Sequence, residues 1–134
     1  VSLAFGTASL ACTAALGLLL FGLGFAVSRA RFARRRGSAP ADDPRDILHK
    51  LVRAHANTAE FAPFLAVLFL AHGARGHGAW VAWAMVAATA CRYLIVVGLV
   101  AWPSLDKANP VRFVGALGTY VLGIALSAAL LLPA

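Results

Sequence analysis

The chain has 134 residues, 61% hydrophobic and 13% charged, and a net charge of +7 from 12 Lys+Arg against 5 Asp+Glu. Its mean hydropathy is +0.81, which excludes an ordinary soluble fold and suits about four membrane spans of roughly 20 residues each. The basic excess adjoins apolar runs, so anionic lipid head groups fit it better than nucleic acid does.

Residues 1–28 carry no charge. They predict a first span over about 3–27, in which Gly17, Gly22 and Gly24 suit close helix packing. Basic residues follow this run instead of preceding it, the pattern of an anchor and not of a cleaved signal peptide. Arg29, Arg31, Arg34, Arg35 and Arg36 open a basic linker over about 29–46, and the helix is expected to run into them and stop near Gly37. The turn formers GSAPADDP follow, with Asp43 as the expected N-cap of the next helix and Pro44 at its first position.

The second span, about 47–71, contains LVRAHANTAEFAPFL, an apolar stretch carrying Arg53, His55, Asn57 and Glu60. At about 100° per residue, Arg53, Asn57 and Glu60 share one helix face and His55 lies on the other. Pro63 cannot donate to the carbonyl of Ala59, which predicts a kink near Glu60. A third span over about 79–101 is interrupted by Arg92 and Tyr93, with Trp80, Trp83 and Trp102 as interfacial belt residues. A loop over 103–110 leads to a fourth span over about 111–132, with Thr119 and Tyr120 near its middle. The first connection holds most of the basic residues. The third has Lys107 and Arg112, and the second only Arg75. By the positive-inside rule the first and third connections are cytoplasmic and both termini lie outside.

Arg53 lies roughly two turns inside the cytoplasmic start of the second helix. Arg92 lies a little over two turns from the cytoplasmic end of the third. The matched depths predict that Arg53, Asn57, Glu60, Arg92 and Tyr93 line one cavity, with Lys107 and Arg112 near its mouth. Such a face can bind a small, mostly anionic zwitterion, the arginines taking carboxylates and Glu60 an ammonium. It can equally be an Arg–Glu network that ties helices together, and the residues alone leave both readings open. His49, His55, His72 and His77 form no metal set. Cys12 and Cys91 have no metal or CxxC spacing and read as small apolar side chains.

The run Arg53-Ala54-His55-Ala56-Asn57-Thr58-Ala59-Glu60, followed by Pro63, resembles the signature of the MAPEG family, the membrane-associated proteins in eicosanoid and glutathione metabolism, which include microsomal glutathione transferases. The resemblance covers about 47–132; the first span agrees in position only. It implies an all-α four-helix membrane bundle assembled as a homotrimer, with glutathione as cosubstrate bound between subunits near the cytoplasmic face. By motif match Arg53, Asn57, Glu60 and Arg92 are implied glutathione contacts, with Tyr93 beside them. Arg112, or alternatively Lys107, is the implied thiolate-stabilising cation. The implied activity is that of a glutathione transferase or peroxidase acting on a lipophilic electrophile, with no metal. The alternative is a non-catalytic scaffold trimer whose polar face serves assembly. In one departure, the turns after Tyr93 read Ile95 to Val100, where family enzymes often carry a further tyrosine.

Overall fold

The computed structural model describes residues 2–37 and 43–133, with side chains from residue 6 onward. Four helices account for most of it: α1 (Ser2–Arg34), α2 (Ile47–Arg75), α3 (Ala79–Val100) and α4 (Pro110–Ala129). Each is long and apolar enough to cross a membrane. Residues 38–42 of the expected turn lie outside the described residues.

The helix ends follow from local chemistry. α1 continues into the basic cluster and stops at Arg34, slightly before the expected Gly37. Arg35 takes the left-handed conformation at φ 51°. The Arg36 N–H then reaches back to the carbonyl of Arg31 at 3.0 Å, the pattern that satisfies the last carbonyls of a helix. The expected cap at Asp43 is corrected. α2 begins at Ile47 with Asp46 as N-cap, whose carboxylate accepts from the His49 N–H at 2.9 Å. Asp43 instead accepts from the Arg45 N–H, and the Pro44 carbonyl is occupied by the Leu105 N–H. This long-range bond draws the segment into an extra turn before the helix can start. α2 runs unbroken through Pro63 and ends at Gly76, whose φ of 73° is open to glycine. At α4, Asn109 caps the Arg112 N–H and Pro110 fills the first helical position.

α1 packs along α2, and α3 along α4; α3 also meets α1 and α2. α4 barely touches α2 and does not meet α1 among the described residues. The α3–α4 seam is made by glycines. A Cβ on Gly115 would lie 2.7 Å from Ile95 Cγ1 and 2.8 Å from the Cys91 carbonyl, and one on Gly98 would lie 2.9 Å from the Arg112 backbone. Asn109 Nδ2 donates to the Gly98 carbonyl at 2.6 Å across the same seam. At the opposite end His72 Nε2 meets the Leu126 carbonyl, and Arg75 donates to the carbonyls of Leu130 and Leu132. These bonds tie the end of α4 to α2.

The interior has two apolar clusters. One gathers Leu16, Leu65, Phe69, Met85 and Leu126; the other gathers Leu19, Leu23, Ala54, Ile95 and Leu99. Between them, in sequence on α2, α3 and α4, lie the buried polar residues Thr58, Thr89, Arg92 and Thr119. The three threonines donate to the fourth carbonyl back on their own helices. Of these four only Arg92 reaches a neighbouring helix.

Two outcomes follow. Gly115→Ala would be neutral or stabilising on helix propensity alone, but at this seam it should cost about 1–3 kcal/mol through overpacking. Gly22→Ala, where nothing lies within 4 Å, should not, as thermal unfolding of both variants in detergent will show. The second concerns Asp46, which also holds Arg34 at 2.8 Å and Arg36 at 2.9 Å. The His49 N–H, aided by the two guanidinium groups, holds its carboxyl below the ordinary 3.8. A depressed acid stabilises the fold above its unfolded pKa and loses that contribution as pH falls. Melting temperature should therefore drop below about pH 4; Asp46→Ala should melt lower at neutral pH and show a smaller acid-induced drop.

Candidate functional site

Arg92 stands at the centre. It is 1% exposed, the largest side chain so completely enclosed. α3 delivers it into the layer between the two apolar clusters, facing α2. There its Nη2 donates to the Asn57 side-chain oxygen at 2.6 Å and to the Asn57 carbonyl at 2.9 Å. The guanidinium carbon lies 5.0 Å from the centroid of the Phe61 ring, a cation–π contact. Arg92 Nε is buried with no hydrogen-bond partner among the described residues. Such an orphan donor costs about 1–3 kcal/mol and calls for a reason. Glu60 and Tyr120 lie within electrostatic range of the guanidinium.

Glu60 follows Asn57 by three residues and faces outward. It lines a groove of about 890 Å³ between α2 and α4. Phe61 and Tyr120 meet there with ring centroids 5.7 Å apart. Arg53, one turn before Asn57, is also exposed on the outer surface of α2. The two ion pairs found among the described residues, Arg34–Asp46 and Arg36–Asp46, both belong to Asp46. Among the described residues neither Arg53 nor Glu60 makes an ion pair, and Glu60 meets the Arg92 charge only at longer range.

The expected single cavity is corrected in part. Asn57 and Arg92 join, with Glu60 and Phe61 beside them. Tyr93 points elsewhere: its hydroxyl donates to the Ala15 carbonyl on α1 at 2.9 Å. Adjacent residues on a helix diverge by about 100°, so Tyr93 leaves the α2-facing side that Arg92 occupies. Arg112 is exposed on the first turn of α4, against Gly98. Gly98 lies six residues beyond Arg92 on α3, roughly 9 Å along the axis. Lys107 is exposed in the loop before α4. His55, on the opposite face of α2 as expected, packs its ring against Gly24 of α1. The His72 and His77 rings meet edge-on with centroids 6.3 Å apart, but the described residues hold no cluster of three metal-ligating side chains.

Sequence reasoning passed over two residues. Tyr120 was visible as a polar side chain inside an apolar span, a signal for function in its own right, but its distance from Glu60 in sequence hid the shared groove. Lys50 is 7% exposed, and its ammonium donates to the carbonyls of Trp102 and Pro103 at 2.7 and 3.1 Å. It thereby anchors the start of α2 to the end of α3, below the Arg92 layer.

No curated protein and no solved structure matches the chain. The family model of the MAPEG family does, over residues 9–132. That match covers nearly the whole chain and includes the first helix, where the sequence resemblance held only in position. With four apolar helices of spanning length, this is an integral membrane protein, and the chain belongs to the MAPEG family.

Proposed function

We propose that the protein is a glutathione-dependent transferase or peroxidase, working as a homotrimer on a lipophilic electrophile. The observation that carries this reading is the unpaired state of Arg53 and Glu60. Both sit on a membrane-spanning helix, exposed at its outer surface, and neither has an ion-pair partner among the described residues. Intramembrane charges face a bundle interior, a watery cavity or a partner. A tripeptide with two carboxylates and one ammonium offers Arg53 an anion and Glu60 a cation. Arg92, enclosed behind Glu60, adds its positive charge to the site from within the bundle.

In this reading Arg53 forks onto a carboxylate, Glu60 takes the ammonium, and Asn57 and Arg92 fix the depth of the peptide. Arg112 stabilises the thiolate, lowering the thiol from its free value of about 8.5. The thiolate sulfur then attacks an electrophilic carbon and the leaving group departs as an anion. With a hydroperoxide, two thiols become a disulfide while the hydroperoxide becomes an alcohol and water. The basic connections face the cytoplasm, where they also meet anionic lipid head groups. A neighbouring subunit closes the site, because the outer face of α2 is open in a single subunit.

A scaffold trimer is the second reading, and one observation favours it: Arg92 already has Asn57 as partner. The two readings separate on Arg53→Lys. A lysine keeps the charge but not the planar fork. The transferase reading expects a folded trimer that binds glutathione about tenfold more weakly, on the order of 1.4 kcal/mol by calorimetry. Equal affinities would remove Arg53 from the site. Crosslinking in mild detergent should end at three copies, and a stable monomer that binds glutathione would contradict the trimer. No turnover with a chlorinated aromatic or a lipid hydroperoxide, and no thiolate absorbance on adding glutathione, would leave the scaffold.

A further inference from the structure

The start of α4 is held by a side chain that bonds in two directions. Asn109 Oδ1 accepts from the Arg112 N–H at 3.0 Å, and Asn109 Nδ2 donates to the Gly98 carbonyl at 2.6 Å. Capping needs only the acceptor, which Asp or Ser supplies equally well. A carboxamide carries acceptor and donor together, and here both are used. Gly98 lies in the last turn of α3, where carbonyls run out of helical N–H partners. Asn109 supplies one from across the seam. Gly98 also has no side chain to hold α4 away. A Cβ there would lie 2.9 Å from both the backbone nitrogen and the Cβ of Arg112. The Arg112 backbone therefore rests directly on α3, while the residue as a whole stays exposed.

α3 also carries Arg92, which fixes α2 through Asn57. Arg112 is thus placed, by way of Gly98 and α3, relative to the helix that bears Arg53 and Glu60. We propose that Asn109 is a positioning residue for the thiolate-stabilising cation. It sets the point from which the Arg112 guanidinium reaches out, and leaves peptide binding to α2. The proposal rests on the glutathione-dependent reading and adds to it the part that tunes the thiol. Its physical basis is a steep dependence on distance. A charge-assisted hydrogen bond holds at about 2.7–2.9 Å, and misplacing a catalytic group by about 1 Å can cost on the order of a hundredfold. Asn109→Ser keeps the cap and loses the reach to α3. Gly98→Ala keeps Asn109 and pushes the Arg112 backbone off α3.

The test uses the full chain in detergent and two probes. Glutathione reports the thiol, through the ultraviolet absorbance of its bound thiolate followed against pH. S-methylglutathione, which has no thiol to ionise, reports peptide binding by calorimetry. In Asn109→Ser and in Gly98→Ala the bound thiol should titrate about one pH unit higher than in the unsubstituted protein, with about tenfold less thiolate at any pH below that range. S-methylglutathione should bind both variants within about twofold of the unsubstituted protein, since Arg53 and Glu60 are untouched. Asp46→Ala, which weakens the fold at the start of α2, should leave the titration where it was. An unchanged titration in Asn109→Ser, or an equal shift in Asp46→Ala, would reduce Asn109 to a cap and overturn the proposal alone. If Asn109→Ser does not fold, Gly98→Ala decides in its place. An unsubstituted protein that forms no thiolate with glutathione would overturn the transferase reading, and this proposal with it.

Discussion

A guanidinium enclosed between two hydrocarbon clusters is the constraint on which the bundle depends. Arg92 is anchored by the two oxygens of Asn57 and by the Phe61 face, so α2 and α3 have one permitted register. Removing one partner of a buried charge typically costs about 3–5 kcal/mol, because the other is left without compensation. The surrounding layer adds no further demand, since Thr58, Thr89 and Thr119 are satisfied by their own helices. Once that register is set, the outward placement of Arg53 and Glu60 follows from helix geometry. Both lie on the same stripe as Asn57 and flank the one residue that turns inward.

The same constraint explains the open side of the molecule. α3 is the hub, and α4 packs on it through Gly98 and Gly115, with Asn109 latching the near end. α4 is bound to α2 mainly at the far end, by His72 and Arg75. Between those ties the two helices stand apart, and the intervening groove puts Glu60 and Tyr120 on one wall and the other. Two helices that touch little can present different surfaces to a ligand, whereas the tight α3–α4 seam cannot.

Much of this was legible in the sequence. Long uncharged runs give four spans, Asn109-Pro110 marks the start of α4, and the spacing of Arg53, Asn57 and Glu60 gives their shared stripe. Matched depths put Arg92 level with Arg53, whereas its partner is Asn57, one turn further along α2. What stayed hidden depends on long-range contacts or on helix rotation. Asp46 displaces Asp43 as cap because Leu105, some sixty residues away, occupies the Pro44 carbonyl. Tyr93 faces α1 instead of α2 because depth does not fix which side of α3 meets which neighbour. The seam glycines were obscured by those of α1, where Gly22 has open space and Gly24 meets only the His55 ring. Tyr120 needed the α2–α4 spacing before it could be seen opposite Glu60.

The central claim is that the polar stripe of α2 is completed by a ligand and not by the protein itself. The most direct measurement is an electron-microscopy density map of the protein purified with glutathione. The account predicts density for a tripeptide in contact with Arg53 and Glu60, with Arg92 still on Asn57. A map in which Arg53 and Glu60 close directly on each other, or on a neighbouring subunit with no density between, would contradict it.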